Sequence, residues 1–213
     1  SSCVWTTEGK LLCWGFARGD ILGEAVLTPR EMSGIDGEIS ALHAGTNANC
    51  ARNAAGELWC WGDNTFGQLG DGTSDDRTRP VKVGTERWKA MSSGAYFTCA
   101  IGTTDTRWCW GSNGRGQLGD GTTADRDAPV QMGTQTWTSI SSGGIHACGI
   151  QTAGTLWCWG HNRYGQVGDG TTINRTTPGQ VGTATWRTVG AGGVHTCAIQ
   201  PVGTLWCWGL GSY

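Results

Sequence analysis

The pentapeptide Leu58-Trp59-Cys60-Trp61-Gly62 returns as Arg107-Trp108-Cys109-Trp110-Gly111, Leu156-Trp157-Cys158-Trp159-Gly160 and Leu205-Trp206-Cys207-Trp208-Gly209. A weaker copy, Leu11-Leu12-Cys13-Trp14-Gly15, precedes them. The Cys-Trp-Gly triplets start at 13, 60, 109, 158 and 207, a spacing of 47 and then three times 49 residues. That period is too long for most helical solenoids and suits a propeller blade of four strands. Strand side chains alternate between faces, so Trp59 and Trp61 share one face and Leu58 and Cys60 the other. Both faces carry residues that seek burial, so both are expected to be covered.

Ten residues before each of these cysteines stands another, giving the pairs Cys3/Cys13, Cys50/Cys60, Cys99/Cys109, Cys148/Cys158 and Cys197/Cys207. Structural zinc sites use short spacings such as Cys-x2-Cys, which the chain lacks. Two strands joined by a short turn bring the members of each pair opposite one another. A non-hydrogen-bonded antiparallel pair sets facing Cα atoms roughly 4.5 Å apart, at the short end of what a disulfide accepts. Five hairpin disulfides are therefore expected, each adding roughly 2–3 kcal/mol in the chain-entropy model. Such bridges persist in oxidising surroundings.

No stretch has the 3.6-residue apolar period of a helix, and the chain reads as all-β. In the unit from Pro80 to Gly111, Pro80–Val83, Trp88–Ser92, Phe97–Ile101 and Arg107–Trp110 read as four antiparallel strands with glycine and small polar turns. On this phase the blades cover residues 28–62, 80–111, 129–160 and 178–209, after a half-blade hairpin at 1–15, all in one repeat domain. Linkers assigned to the gaps between blades repeat too, from Gly62 to Thr73, Gly111 to Thr122 and Gly160 to Thr171. Asn64, Asn113 and Asn162 suit Asx turns. Gln68, Gln117 and Gln166 are expected to satisfy buried backbone groups. Leu69, Leu118 and Val167 are expected to plug the space between blades.

The linker Gly-x-Asn-x-x-Gly-Gln-Leu-Gly-x-Gly-Thr, followed by Pro-Val, a strand and the Cys/Trp hairpin, resembles the regulator-of-chromosome-condensation repeat. The resemblance covers essentially the whole chain; the first linker, Gly15 to Met32, departs from it. It implies a β-propeller, and propellers of this family close with seven blades. The form with a cysteine pair in each repeat resembles secreted or surface-attached bacterial members. Four blades and a half leave two open sheet edges, which proteins normally cover or pair. The chain starts at Ser1-Ser2-Cys3 without methionine, which fits a processed or trimmed chain. Three readings stay open: a piece of a longer protein, a small closed ring, or copies completing one another head to tail.

A net charge of -2 gives no electrostatic footprint for nucleic acid or an anionic membrane. No run of 18 apolar residues suggests a membrane span. His43, His146, His161 and His195 are expected to pack or to bond turns, since a zinc site needs three or four convergent ligands. Asp71, Asp75, Asp76, Asp120, Asp125, Asp127 and Asp169 read as solvated turn residues, because the pattern lacks the glycine and terminal glutamate of an EF-hand. No nucleophile elbow, phosphate loop or His-Glu-x-x-His occurs, and the cysteines are consumed in bridges. No enzyme and no cofactor is expected. A hydrolase would need two carboxylates facing one pocket.

Surface signals remain. Phe66, Arg115 and Tyr164 occupy one variable offset in the linkers and are expected to line one face, an aromatic and cationic row suited to protein recognition. Arg18-Gly19-Asp20 is an integrin-type tripeptide and Asn174-Arg175-Thr176 an N-glycosylation acceptor expected to be exposed. The leading reading is a non-catalytic, extracellular scaffold that presents loops to a protein partner or to its own copies, as an incomplete arc whose ends are covered from outside the chain; head-to-tail assembly through those ends into a filament is one form this takes. The alternative is a lectin-like propeller with exposed tryptophans stacked on carbohydrate. Tryptophan exposure separates the two.

Overall fold

The structure, a computed structural model, describes residues 2–15 and 26–211. Among them no helix occurs and every regular element is a strand. The first sheet pairs β1 (Ser2–Trp5), β2 (Leu11–Gly15) and β3 (Val26–Met32). The second orders β4 (Ile39–Ala44), β5 (Ala48–Asn53), β6 (Leu58–Gly62) and β7 (Arg77–Lys82). The third holds β8 (Trp88–Ser93), β9 (Phe97–Gly102), β10 (Thr106–Gly111) and the first part of β11 (Arg126–Ser142). The rest of β11 opens the fourth, with β12 (His146–Gln151), β13 (Thr155–Gly160) and β14 (Arg175–Thr185). A last sheet joins β15 (Thr188–Ala191), β16 (His195–Ile199) and β17 (Leu205–Gly209). All pairings are antiparallel.

The strands are those the repeat predicts, but their grouping is shifted by one. The sequence reading put Pro80–Val83 with the strands after it, and likewise began blades near 28, 129 and 178. In the structure β7 bonds back to β6, with Val81 opposite Cys60 and Lys82 opposite Trp59. With β11 shared between two of them, three four-stranded sheets stand between two three-stranded ones. The long linker leaves β6 and returns to the same sheet, and the short stretch Val83–Arg87 crosses to the next. The ring is not closed: β1 and β17 each keep one unpaired edge among the described residues.

Neighbouring sheets stack in one sense. The leucine and cysteine face of each hairpin packs on the tryptophan face of the next sheet. Leu58, Cys60, Leu69 and Val83 meet Trp88 and Trp110, and Leu156, Cys158, Val167 and Val181 meet Trp186 and Trp208. Leu69, Leu118 and Val167 are fully buried plugs. Trp110, Trp159 and Trp208 each donate their indole N–H, at 2.8–3.0 Å, to the backbone oxygen of Gln68, Gln117 or Gln166 in the preceding linker. Tight turns between the first two strands of successive sheets make backbone bonds from sheet to sheet, Ala95 N to Gly144 O and Gly144 N to Gly192 O. Gly143 has no side chain for a steric reason, since a Cβ there would sit 2.3 Å from Gly192 O.

All five cysteine pairs are bonded, each with Cα atoms 4.1 Å apart at directly opposed positions. No free cysteine remains among the described residues.

Candidate functional site

Each of the three repeated linkers, 62–73, 111–122 and 160–171, is folded around one buried asparagine. The Asn113 Oδ1 accepts from Leu118 N at 3.0 Å, while its Nδ2 donates to Asp120 Oδ1 at 3.0 Å and Thr122 O at 3.1 Å. Asn64 and Asn162 repeat these bonds with Leu69, Asp71 and Thr73, and with Val167, Asp169 and Thr171. Gln68, Gln117 and Gln166 accept, through Oε1, the backbone N–H of Phe66, Arg115 and Tyr164. The glutamines thus satisfy backbone donors, and they fix the three variable residues at the loop tip.

The aspartates that follow are not simply solvated. Asp71, Asp120 and Asp169 have side chains only 3–10% exposed and hold the hub asparagine, a threonine and an arginine six residues on. Asp169 and Arg175 make a short contact, Arg77 reaches Asp71 at 2.5 Å, and Arg126 reaches Asp120 at 2.8 Å. Burial alone would raise these carboxyls. Bonds from Arg175 and Thr171 outweigh it at Asp169, which falls to about 2, and Asp71 and Asp120 are lowered in the same way. A charged acceptor inside a donor cage resists protonation. Asp76 and Asp125 accept the hub asparagine's own N–H, while Asp75 and Asp127 lie at the surface. The recurrent Asp-x5-Arg spacing was the sequence signal for these cages.

Asn174 takes the place of Asp76 and Asp125. It is half-buried, and its Oδ1 accepts the Asn162 N–H at 2.9 Å. The acceptor asparagine is thus part of the linker framework, where the sequence suggested an exposed one. The Arg18-Gly19-Asp20 tripeptide lies outside the described residues.

The linker tips stand beside the sheet-to-sheet turns. The rings of Phe66 and Tyr96 meet edge to face at 5.3 Å. Tyr96, Gly114, Arg115, Gly144 and Ile145 line one open cleft. Ile145 O accepts from His161 N, and the His161 ring lies 6.1 Å from Tyr164. Phe66, Tyr96, Ile145 and Tyr164 each expose about two fifths of their surface. Sequence reasoning had no Tyr96 or Ile145; their 49-residue separation was the available clue.

The tryptophans that a sugar would need are mostly inside. Trp59, Trp61, Trp88, Trp110, Trp137 and Trp159 are buried, and the well-exposed rings, Trp5 and Trp206, sit on the two terminal sheets. His146 is buried, and its Nε2 lies 2.8 Å from Thr196 Oγ1 of the next sheet. Burial, then the charges of His161 and His195, lowers its pKa to about 4. His161 Nδ1 lies 2.9 Å from Gln166 Nε2 in its own linker, and burial is the first cause lowering it. His43 is half-buried on β4 and lowered chiefly by burial; His195 is exposed. No group of three metal-ligating side chains forms among the described residues.

Comparison with known proteins places this architecture. The family model described as the regulator of chromosome condensation (RCC1) repeat matches residues 55–101, 107–150 and 153–199. A 96-residue stretch is 32% identical to the human E3 ubiquitin-protein ligase HERC2, covering 43% of this chain and 2% of that protein. Yeast RCC1 (Prp20), solved bound to Kap60, superposes with a TM-score of 0.84 at 20% identity, over 97% of this chain and 53% of the other. The ectodomain of the Physcomitrella patens receptor kinase CR4 gives a TM-score of 0.63 at 25% identity, over 98% and 48%. The chain thus spans about half the length of these solved propellers and a small part of the human ligase. With the repeat model matched over more than half of its residues, the chain belongs to the RCC1 repeat family.

Proposed function

We propose that this chain is a non-catalytic extracellular binding scaffold whose row of Phe66, Tyr96, Arg115, Ile145 and Tyr164 engages a protein partner. The carrying observation is that these side chains are exposed and adjacent, yet stand on linkers fixed by buried hubs. Aromatic anchors on a fixed backbone lose little entropy on binding. The CR4 likeness supports the setting, since that propeller is part of an ectodomain, and the five bridges favour oxidising surroundings. The yeast relative, bound to Kap60, supports protein recognition as the class of role.

The test compares the oxidised protein with a Phe66→Ser/Tyr164→Ser double variant, both immobilised against cell-surface and secreted proteins of the source. The proposal expects a partner held by the first and lost by the second at unchanged melting temperature. Equal retention by both would overturn it.

A second reading, self-assembly, is favoured by the ends. Leu205 is 61% and Trp206 53% exposed, although Leu58 and Leu156 at the same repeat position as Leu205 are fully buried. The last sheet bares a leucine and cysteine face, and the first bares Val4 with part of Leu12 and Trp14 on its opposite face. Every internal junction is built from such a pair of faces. Head-to-tail contact between copies would repeat it, in a heterologous arrangement that extends into filaments. Electron micrographs over a concentration series, with Leu205→Asp as control, check this; a monomer throughout speaks against it.

A further inference from the structure

The cleft between the outermost strands of the third and fourth sheets is unlike its neighbours. Its walls include Arg107, Gly119, Asp120, Arg126, Met132 and Pro178, around a space of about 420 Å³. Arg107 stands where the other repeats have Leu11, Leu58, Leu156 and Leu205. At 2% exposure it is as buried as those internal leucines, with its guanidinium carbon 4.3 Å from the Trp159 ring centre and 5.4 Å from that of Trp137. Nη1 donates to Leu118 O at 2.8 Å and Nη2 to Gly119 O at 3.3 Å. Its Nε finds no acceptor, and neither does the buried Nε of Arg126 in the same cleft.

A buried cation needs a counter-charge as well as carbonyl dipoles. The one carboxylate lining the cleft, Asp120, is already held by Arg126, Asn113 and Thr122. Two guanidinium groups and one carboxylate leave a single positive charge. Val130, Met132 and Pro178 make the rest of the lining partly apolar.

We propose that this cleft binds a carboxylate carried on a short apolar stem, with Arg107 as the charge that selects it. One negative charge balances the site, whereas a phosphate dianion exceeds it. The carboxylate belongs either to a free small acid or to an acidic side chain of a bound polypeptide. The cleft is a site separate from the loop-tip row and does not depend on it.

The experiment measures melting temperature and the Arg Nε–H resonances of the oxidised full chain. The probes are N-acetylglutamate amide, the tripeptide acetyl-Leu-Glu-Leu-amide, their glutamine counterparts and inorganic phosphate, at matched ionic strength. Both carboxylates should raise the melting temperature and shift the Arg107 Nε–H signal, and the glutamine forms and phosphate should not. Arg107→Leu, which restores the residue of the other repeats, should abolish the response. A tripeptide about ten-fold tighter than the single amino acid identifies a polypeptide ligand, and equal affinities a free acid. If Arg107→Leu fails to fold, the wild-type resonance still decides. An unmoved Arg107 signal, an equal response in a folded Arg107→Leu protein, or an equal effect of phosphate or glutamine forms would overturn the proposal.

Discussion

Replacing the buried Asn113 by alanine should cost about 2–4 kcal/mol. The buried Leu118 N–H loses its acceptor, which alone costs about 1–3 kcal/mol. The bond to the Asp120 carboxylate is charge-assisted and adds about 1 kcal/mol or more. The Thr122 carbonyl lies on an exposed residue, so water replaces that third bond at little cost. Asn113→Asp sharpens the test. It keeps an oxygen for Leu118 but turns the donor toward Asp120 into an anion 3.0 Å away. At neutral pH it should therefore be worse than alanine. The introduced carboxyl, buried beside Asp120, has a folded pKa above its unfolded value of about 3.9. Its penalty is full above the folded pKa and fades as pH falls toward the unfolded one, so the gap to wild type narrows in acid. Urea unfolding of the oxidised proteins at several pH values measures both variants. A loss under about 0.5 kcal/mol for alanine, or an aspartate variant no worse than alanine at pH 7, would refute the hub as a source of stability.

Other perturbations follow from the same geometry. Reduction should add ten hydrogens to the mass and lower stability by about 2–3 kcal/mol for each bridge opened, read by mass spectrometry and urea unfolding. Asp169, lowered to about 2, contributes stability that is present above the unfolded pKa near 4 and lost as pH falls toward 2. Asp169→Asn should flatten that acid limb by about 2 kcal/mol. Arg107→Leu, without ligand, should leave stability unchanged or raise it by about 1 kcal/mol or more, since an apolar residue replaces a buried cation whose pKa burial lowers to about 9. Gly143→Ala should cost at least about 1–3 kcal/mol, because its Cβ would strike both Gly192 O and the His146 ring.

Much of this was legible because a repeat states the same fact several times. The opposed cysteines, the plugs Leu69, Leu118 and Val167, and the glutamines that bond the loop backbone all follow from residues at a fixed offset. Single departures from the period were harder to weigh. Nothing in the sequence singled out Arg107, because sequence alone does not show two tryptophan rings closing over it. Tyr96 and Ile145 sat at a turn position that holds Asn47, Tyr96, Ile145 and Val194 in successive repeats, so no single residue type recurs there. The carboxylates of Asp71, Asp120 and Asp169 looked solvated because aspartate in a glycine turn usually is; the arginine six residues later lies in the returning strand.

The shifted blade phase has a different cause. A period fixes the order of strands and says nothing about which gap separates two sheets. The sequence reading gave that role to the long linker. Residues 63–76 instead leave β6, bury Leu69 between two sheets and come back, so that Arg77 pairs with Gly62 of the sheet just left. The crossing needs only residues 83–87, with Val83 bonded to Leu58 and Trp88 N bonded to Gly56 O. The connection that looks like a spacer is therefore the wedge that sets the junction, and its tip, with Phe66, Arg115 or Tyr164, is held by the core it fills. A loop anchored at its middle as well as its ends can project variable side chains at little entropic cost. That anchoring is why the same fourteen-residue stretch serves packing and, in our proposal, recognition.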